Sequence, residues 1–231
     1  MLLILAPNSP KLLKFTATPQ QGRVSALLLR PLDAIALLVL AHGAGTEIRH
    51  RSLATLSEAL AEQQIATLRY NFPYKEQGRG GPNPKAVLTA TVRAAVQAAS
   101  QAATDLPLFA GGRSMGGRMT SLAASEAPLP GVKGLVFFGF PLHPAGKPGT
   151  ERAEHLFQVK LPMLFLQGPR DALAKPELLK PILKRLGKQA KLHWVAGADH
   201  SFKVQKSSGR TEQDVLPELA ETAAAWMREE T

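Results

Sequence analysis

Eight short apolar runs, separated by longer segments of helical period, constrain the fold of this chain more than any other feature. Several runs are apolar at every position, which predicts strands buried on both faces of a parallel sheet. Helices between such strands form right-handed crossovers and cover both faces. The sequence therefore predicts a doubly wound, mostly parallel α/β sheet whose first two strands form an antiparallel edge. The predicted strands begin at Lys11, Ser25, Ala34, Ile65, Pro107, Val132, Leu161 and Lys191.

Five segments carry the apolar period of helices, over residues 53–63, 84–103, 114–127, 176–186 and 216–228. In the second segment, Asn83 before Pro84 predicts a cap and a first turn. Its buried stripe is predicted to comprise Leu88, Val92, Ala95, Val96 and Ala99. No repeat, low-complexity tract or linker interrupts the pattern. We therefore predict one α/β domain over residues 1–231.

Composition excludes several classes of protein and of site. No apolar run reaches the roughly 20 residues that span a bilayer, and the opening segment MLLILAPNSP lacks a basic region and is interrupted by Pro7. We therefore expect a cytoplasmic protein with no membrane partner. The sequence contains no cysteine, which excludes disulfides, thiol nucleophiles and thiolate metal sites. No two histidines have the spacing of a metal pair, so neither a metal nor another cofactor is expected.

The formal net charge of +10 raises the question of an acidic partner. Part of this charge lies on one predicted helix, where Lys180, Lys184 and Lys188 recur at i, i+4 and i+8 opposite an apolar face. No aromatic residues interleave with these lysines as a base-stacking surface would require. The pattern favours a solvated basic face, and no nucleic-acid partner is expected. A homo-oligomer is compatible with the sequence.

Four glycines surround one serine in the stretch LFAGGRSMGGRM, residues 108–119. Glycine inside a regular element costs roughly 0.5 to 1 kcal/mol relative to alanine, so this concentration requires a geometric reason. Residues 112–116 fit the pattern G-x-S-x-G between a predicted strand and a predicted helix. That context is typical of a nucleophile elbow, a sharp turn that exposes the serine Oγ. We predict that Ser114 is a nucleophile; the alternative is a glycine-rich packing turn with an incidental serine.

A serine hydroxyl requires an imidazole to take its proton and a carboxylate to orient that imidazole. In this kind of fold the acid and then the histidine follow the serine, each on a loop after a later strand. Asp171 and His200 satisfy that order. Taken singly, Asp171 could instead cap the next helix and His200 could be an ordinary surface residue. Asp199 is a poorer candidate for the acid, because neighbouring residues project in different directions.

The segment HGAGTE follows the third predicted strand and suits a loop that offers amide groups to a developing oxyanion. We predict that the amides of Ala44 and Met115 form this oxyanion hole. His50 and His193 are interpreted as peripheral. Residues 141–160 contain too few apolar residues to form a lid with its own core.

Five blocks of the sequence, AHGAG, RYNFPY, GGRSMGGR, LQGPRD and GADHSFK, resemble the α/β-hydrolase-like family akin to dienelactone hydrolases. That family also includes the hydrolase-like subunit of the nonspecific-lethal histone acetyltransferase complex and its bacterial relatives. The resemblance runs from about Leu37 to the C-terminus. It implies an α/β-hydrolase fold without a large lid domain, in which Ser114 is the nucleophile, Asp171 the acid and His200 the general base. The cysteine nucleophile of dienelactone hydrolases proper is a serine here.

The resemblance also implies the residues that surround a substrate. His42, Gly43 and Gly45 belong to the oxyanion loop, and the block RYNFPY would line the pocket through Asn71, Phe72 and Tyr74. Two functional hypotheses follow. The first is a serine carboxylesterase that acts on small soluble esters. The second is a non-catalytic interaction protein on the same scaffold, since fold alone does not establish activity.

Overall fold

The computed structural model describes residues 9–231 and contains one eight-stranded sheet. The spatial order of the strands is β1-β2-β4-β3-β5-β6-β7-β8. β1 pairs with β2, and β2 with β4, in antiparallel register, whereas the remaining neighbours are parallel. The predicted mostly parallel sheet with an antiparallel edge is confirmed. The strands are β1 Lys11–Thr18, β2 Gly22–Leu29, β3 Ala36–Ala41, β4 Ile65–Tyr70, β5 Leu108–Arg113, β6 Val132–Phe138, β7 Met163–Gln167 and β8 Ala190–Trp194.

Each of the five predicted helices is present: the helix over 176–186 has the predicted ends, and the ends of the other four differ from prediction by one to four residues. The helices are α1 Arg51–Glu62, α2 Pro73–Glu76, α3 Lys85–Ala102, α4 Met115–Glu126, α5 Pro176–Leu186 and α6 Glu212–Glu229. The one-turn helix α2 was not predicted, because four residues are too few to show a helical period. Asn83 does not cap α3: its side-chain oxygen accepts a hydrogen bond from the Tyr74 amide instead, at 2.7 Å.

The apolar runs form strands because both faces of the sheet are covered. Along β3, Leu37 and Val39 belong to one buried cluster, whereas Leu38 and Leu40 belong to a second cluster on the opposite face. Buried residues of α3, α4 and α5 join the first cluster, and those of α1 and α6 join the second. Alternate residues of a strand point to opposite faces. A strand between two helical layers is therefore apolar at every position.

The carboxyl ends of the parallel strands meet at one edge of the sheet, where ligands bind in open α/β folds. The turn after β5 and the loops after β3, β7 and β8 all begin there. Between β6 and β7 the chain forms a single short 3₁₀ helix, Glu151–Gln158, and no separate lid domain. Within residues 9–231, no helix has the length and apolar character needed to cross a membrane.

Candidate active site

Ser114 lies at a sharp turn between β5 and α4. Its backbone adopts φ 51° and ψ −119°, in a region that non-glycine residues rarely occupy. The turn packs directly against the end of β3. A β-carbon at Gly116 would lie 2.5 Å from the Ala41 carbonyl oxygen, and one at Gly112 would lie 2.6 Å from that same atom. The flanking glycines are therefore required for close approach of two backbones, as the predicted elbow demands.

Three predicted residues from three separate loops form one hydrogen-bonded chain. His200 Nε2 lies 2.8 Å from the Ser114 hydroxyl, and His200 Nδ1 lies 2.7 Å from Asp171 Oδ2. Nδ1 donates to the carboxylate, so Nε2 is free to accept the serine proton. The Asp171 side chain is fully buried, whereas the His200 side chain is 23% exposed. The arrangement connects a buried acid to a serine at the surface of a cavity.

Gln167 fixes the orientation of the Asp171 carboxylate. Its Oε1 accepts from the Phe140 amide at 2.9 Å, so its Nε2 is the atom that faces Asp171 and donates to Oδ2 at 2.5 Å. The Leu173 amide donates to the other oxygen, Oδ1, at 2.7 Å. Sequence reasoning missed Gln167. The available signal was a single amide side chain at the end of an otherwise apolar strand.

Asp199 forms no hydrogen bond with the His200 ring. Its Oδ1 accepts from the amides of Ser201 and Lys203, at 2.7 and 3.0 Å. These bonds close a tight turn around His200. Asp199 therefore shapes the loop that carries the histidine.

A cavity of about 610 Å³ opens beside Ser114 and His200. The loop after β3, the N-terminal half of α1, the His200 loop and the beginning of α6 surround it. The sequence interpretation of His50 as peripheral is wrong, because His50 lines the cavity and its Nδ1 accepts from the Ser52 amide at the start of α1. The lining residues are Gly43, Ala44, Gly45, Thr46, His50, Arg51, Ser52, Thr55, Leu56, Arg113, Ser114, His200, Ser201, Phe202, Lys203, Val215, Leu216 and Leu219.

The loop after β3 lies against the elbow. A β-carbon at Gly43 would lie 3.8 Å from the Ser114 β-carbon. Among residues 9–231, neither the Ala44 amide nor the Met115 amide donates a hydrogen bond to another group. Both amides are therefore unpaired among the described residues, and Ala44 lines the cavity, whereas Met115 is not one of its lining residues.

Four residues expected to contact the substrate are absent from the cavity wall: His42, Asn71, Phe72 and Tyr74. All four are buried. The Tyr74 hydroxyl donates to the Ala44 carbonyl at 2.7 Å, and Asn71 Oδ1 accepts from the Ile48 amide at 3.1 Å. This expectation is corrected because these side chains turn inward and support the loop after β3 from behind. Gly43 and Gly45 do line the cavity.

His42 is a structural histidine. Its Nδ1 donates to the Gly43 carbonyl at 2.7 Å, and its Nε2 accepts from the Phe72 amide at 3.1 Å. Burial lowers the pKa of His42 from 6.5 to about 4, which keeps the ring neutral as this pair of bonds requires. The ring joins the loop after β3 to the segment after β4.

A second serine–histidine pair lies outside the cavity. His155 Nε2 is 2.7 Å from the Ser121 hydroxyl, and no carboxylate among the described residues orients this ring. Ser121 is fully buried. The pair joins α4 to the 3₁₀ helix, and neither residue lines the cavity beside Ser114. Within the described part of the chain, no cluster of three histidine or acidic side chains could hold a metal ion.

Several solved structures share this fold. A dienelactone hydrolase from Anabaena variabilis is 21% identical with a TM-score of 0.74, covering 96% of this chain and 99% of its own. The lidless α/β serine hydrolase XC6422 from Xanthomonas campestris is 21% identical with a TM-score of 0.71, covering 96% and 97%. An esterase domain from Rhodothermus marinus is 22% identical with a TM-score of 0.70, covering 95% and 98%.

These likenesses agree with the strand order and the lidless edge of the sheet. The family model described as an alpha/beta hydrolase domain matches residues 34–228, which include all three members of the hydrogen-bonded chain. The protein therefore belongs to the α/β-hydrolase domain family.

Proposed function

We propose that this protein is a serine hydrolase that cleaves small carboxylic esters through an acyl-enzyme intermediate. One observation supports this proposal above all others: Ser114, His200 and Asp171 form an unbroken hydrogen-bonded chain that ends at a cavity. Such a chain is the arrangement that activates a hydroxyl at neutral pH. The proposal includes the cytoplasm as the location and a small molecule as the substrate.

In the first half of the reaction, Ser114 Oγ attacks the ester carbonyl carbon while His200 Nε2 accepts the hydroxyl proton. The ionised Asp171 stabilises the imidazolium that forms. The tetrahedral intermediate carries its negative charge on the former carbonyl oxygen. The Ala44 and Met115 amides are the proposed donors to that oxygen, each contributing roughly 3 to 4 kcal/mol.

The intermediate then collapses, and the bond to the alcohol oxygen breaks. His200 returns its proton to that oxygen, so the alcohol leaves neutral and the acyl group stays on Ser114. In the second half, His200 takes a proton from water, whose oxygen attacks the acyl carbon. Collapse of the second intermediate restores the Ser114 hydroxyl and releases the acid.

The dimensions of the site favour short substrates. The cavity of about 610 Å³ suits a small molecule, and the chain between β6 and β7 forms only one short 3₁₀ helix, none of whose residues lines the cavity. With no large mobile lid to open, hydrolysis requires no activation at a lipid–water interface. We expect soluble short-chain esters to be preferred over emulsions of long-chain esters.

The test is hydrolysis of p-nitrophenyl acetate, together with labelling by a fluorophosphonate, which reacts with activated serines. The wild-type protein should turn over the ester and become labelled at Ser114. Ser114→Ala should lower kcat by about 10⁴-fold or more and abolish labelling. Ser121→Ala is the matched control, because that serine also contacts a histidine but is buried away from the cavity, and it should retain both properties.

Equal ester hydrolysis by wild type and Ser114→Ala would overturn the proposal. It would favour the second hypothesis, a non-catalytic interaction protein on the same scaffold. The net charge of +10 is the feature that such a protein would use to contact acidic partners.

A further inference from the structure

The cavity beside Ser114 carries a one-sided charge. Its wall contains the cationic side chains of Arg51, Arg113 and Lys203, and none of the described residues that line it is an aspartate or a glutamate. A small neutral ester requires no such environment. A cavity lined by one sign of charge attracts a ligand of the opposite sign.

Arg113 is the best placed of the three cations, since it immediately precedes Ser114. Its guanidinium carbon lies 5.7 Å from the centre of the Phe202 ring, and both residues line the cavity. This cation–π contact holds the guanidinium beside Phe202 at the cavity. Arg51 and Lys203 are exposed, so solvent and salt screen their charges more strongly.

The Arg113 guanidinium has no acceptor among the described residues. It forms no hydrogen bond or ion pair with any of them, although Asp171 and Asp199 are near enough to interact with its charge. Asp171 is occupied by His200, Gln167 and the Leu173 amide. Asp199 Oδ1 is occupied by two loop amides. A partly buried arginine usually has a hydrogen-bond partner within the protein. Arg113 has none among the described residues, so its N–H groups are available to a ligand.

The N-terminus of α1 adds to the positive electrostatic potential of the cavity. This 12-residue helix has no acidic residue in its first turn, and His50, Arg51 and Ser52 at its start all line the cavity. The positive end of the helix dipole therefore lies at the cavity that Arg113 also lines.

We propose that the natural ester carries a carboxylate and that Arg113 is the specificity-determining residue that binds it. The inference rests on the proposed function, because it assigns the substrate class of the same site. A carboxylate fits the guanidinium because two parallel N–H groups can donate to its two oxygens. Arg51 and Lys203 raise the local concentration of the anion rather than fix its position.

The experiment separates binding from turnover by using the inactive Ser114→Ala protein. Dissociation constants are measured by titration calorimetry for monoethyl succinate and for ethyl succinamate, a neutral amide of nearly the same shape. A second pair, acetoxyacetate and acetoxyacetamide, places the charge on the alcohol side of the ester. In at least one pair the anion should bind about tenfold more tightly or better, as expected for a hydrogen-bonded charge pair. The pair that shows the preference identifies the side that carries the carboxylate.

Adding Arg113→Gln should reduce that preference to about twofold or less, and Arg113→Lys should retain part of it. Lys184→Gln is the matched control, because Lys184 is exposed on α5 away from the cavity and its loss lowers the net charge equally. The control should keep the full preference. Equal binding of anion and amide in both pairs would overturn the inference, as would a preference that survives Arg113→Gln unchanged. Because these measurements use an inactive protein, they stand whether or not the wild type hydrolyses esters.

Discussion

Two carboxylates lie beside His200: Asp171 is hydrogen-bonded to its ring, and Asp199 precedes it in the sequence. Asp171 Oδ2 accepts from His200 Nδ1, whereas Asp199 Oδ1 accepts from the amides of Ser201 and Lys203. An acid that orients a catalytic imidazole fixes its tautomer and stabilises its charged form. An acid that closes a turn stabilises only a loop conformation.

Asparagine substitutions at these two positions should therefore differ in effect. Asp171→Asn should lower kcat for p-nitrophenyl acetate by roughly 10³- to 10⁴-fold, because the amide favours the wrong tautomer of His200. Asp199→Asn should lower kcat by about tenfold, through disturbed loop hydrogen bonds. Steady-state kinetics on both variants, each first shown to be folded by its thermal transition, checks the difference. A larger loss from Asp199→Asn would contradict the proposed role of Asp171.

At this scale, the sequence predicted the residues that follow strands in the order nucleophile, acid and histidine, and it missed residues whose roles depend on their three-dimensional neighbours. Ser114, Asp171 and His200 are recognisable because each follows a strand in a fixed order. Gln167 and Arg113 have no such signature: the role of the first depends on a buried hydrogen bond to Asp171, and that of the second on a cavity between helices and loops. Three-dimensional neighbours cannot be read from spacing alone.

Two loops after adjacent parallel strands, β3 and β4, support one another. His42 Nε2 accepts from the Phe72 amide, the Tyr74 hydroxyl donates to the Ala44 carbonyl, and an Arg69 amino group donates to the Ile48 carbonyl at 2.9 Å. The strand ends are neighbours because β3 and β4 pair in register from Ala36 with Ile65 to Ala41 with Tyr70. The segment after β4 thereby holds the proposed oxyanion loop in place.

Removing one of these supports should weaken transition-state stabilisation. Tyr74→Phe loses the bond to Ala44, and we expect kcat for p-nitrophenyl acetate to fall about tenfold with a smaller change in KM, as for a displaced donor. Tyr70→Phe is the matched control, since the buried Tyr70 hydroxyl forms no hydrogen bond with the loop after β3. The control should keep its kcat. An unchanged kcat in Tyr74→Phe would show that the loop holds its conformation without this bond.

At the level of elements, strands and long helices were predictable because their burial leaves a pattern in the sequence. A strand buried on both faces is a continuous apolar run, and a helix buried along one stripe shows apolar residues at the helical period. The prediction that the block RYNFPY lines the pocket rested on its aromatic and polar side chains, and it was wrong. Aromatic and polar side chains after a strand suit either a pocket wall or a buried support, and the direction in which they turn depends on the neighbouring loop. That information is absent from a single segment.

Across the whole molecule, two histidines on different elements are held neutral by burial. The pKa of His42 is lowered from 6.5 to about 4 by burial, against an opposing hydrogen bond to Gly43. The pKa of His155 is also lowered to about 4, by burial and then by the charges of Arg118 and Lys85. One ring joins the loops beside β3 and β4, and the other joins α4 to the 3₁₀ helix. Protonation of either ring therefore opposes folding.

The free energy of unfolding should consequently fall as the pH drops below neutral. In the unfolded chain both histidines bind protons near pH 6.5, whereas in the folded protein they do so only near pH 4, so their stabilising contribution is complete above 6.5 and is lost on acidification towards 4. Linkage predicts a loss of up to about 2 kcal/mol per histidine between pH 7.5 and 5. Urea unfolding at several pH values in this range measures it, above the pH at which most carboxylates titrate. His155→Gln, which can keep a hydrogen bond to Ser121, should remove about half of the decline. A slope identical to that of the wild type would show that other groups cause the acid sensitivity.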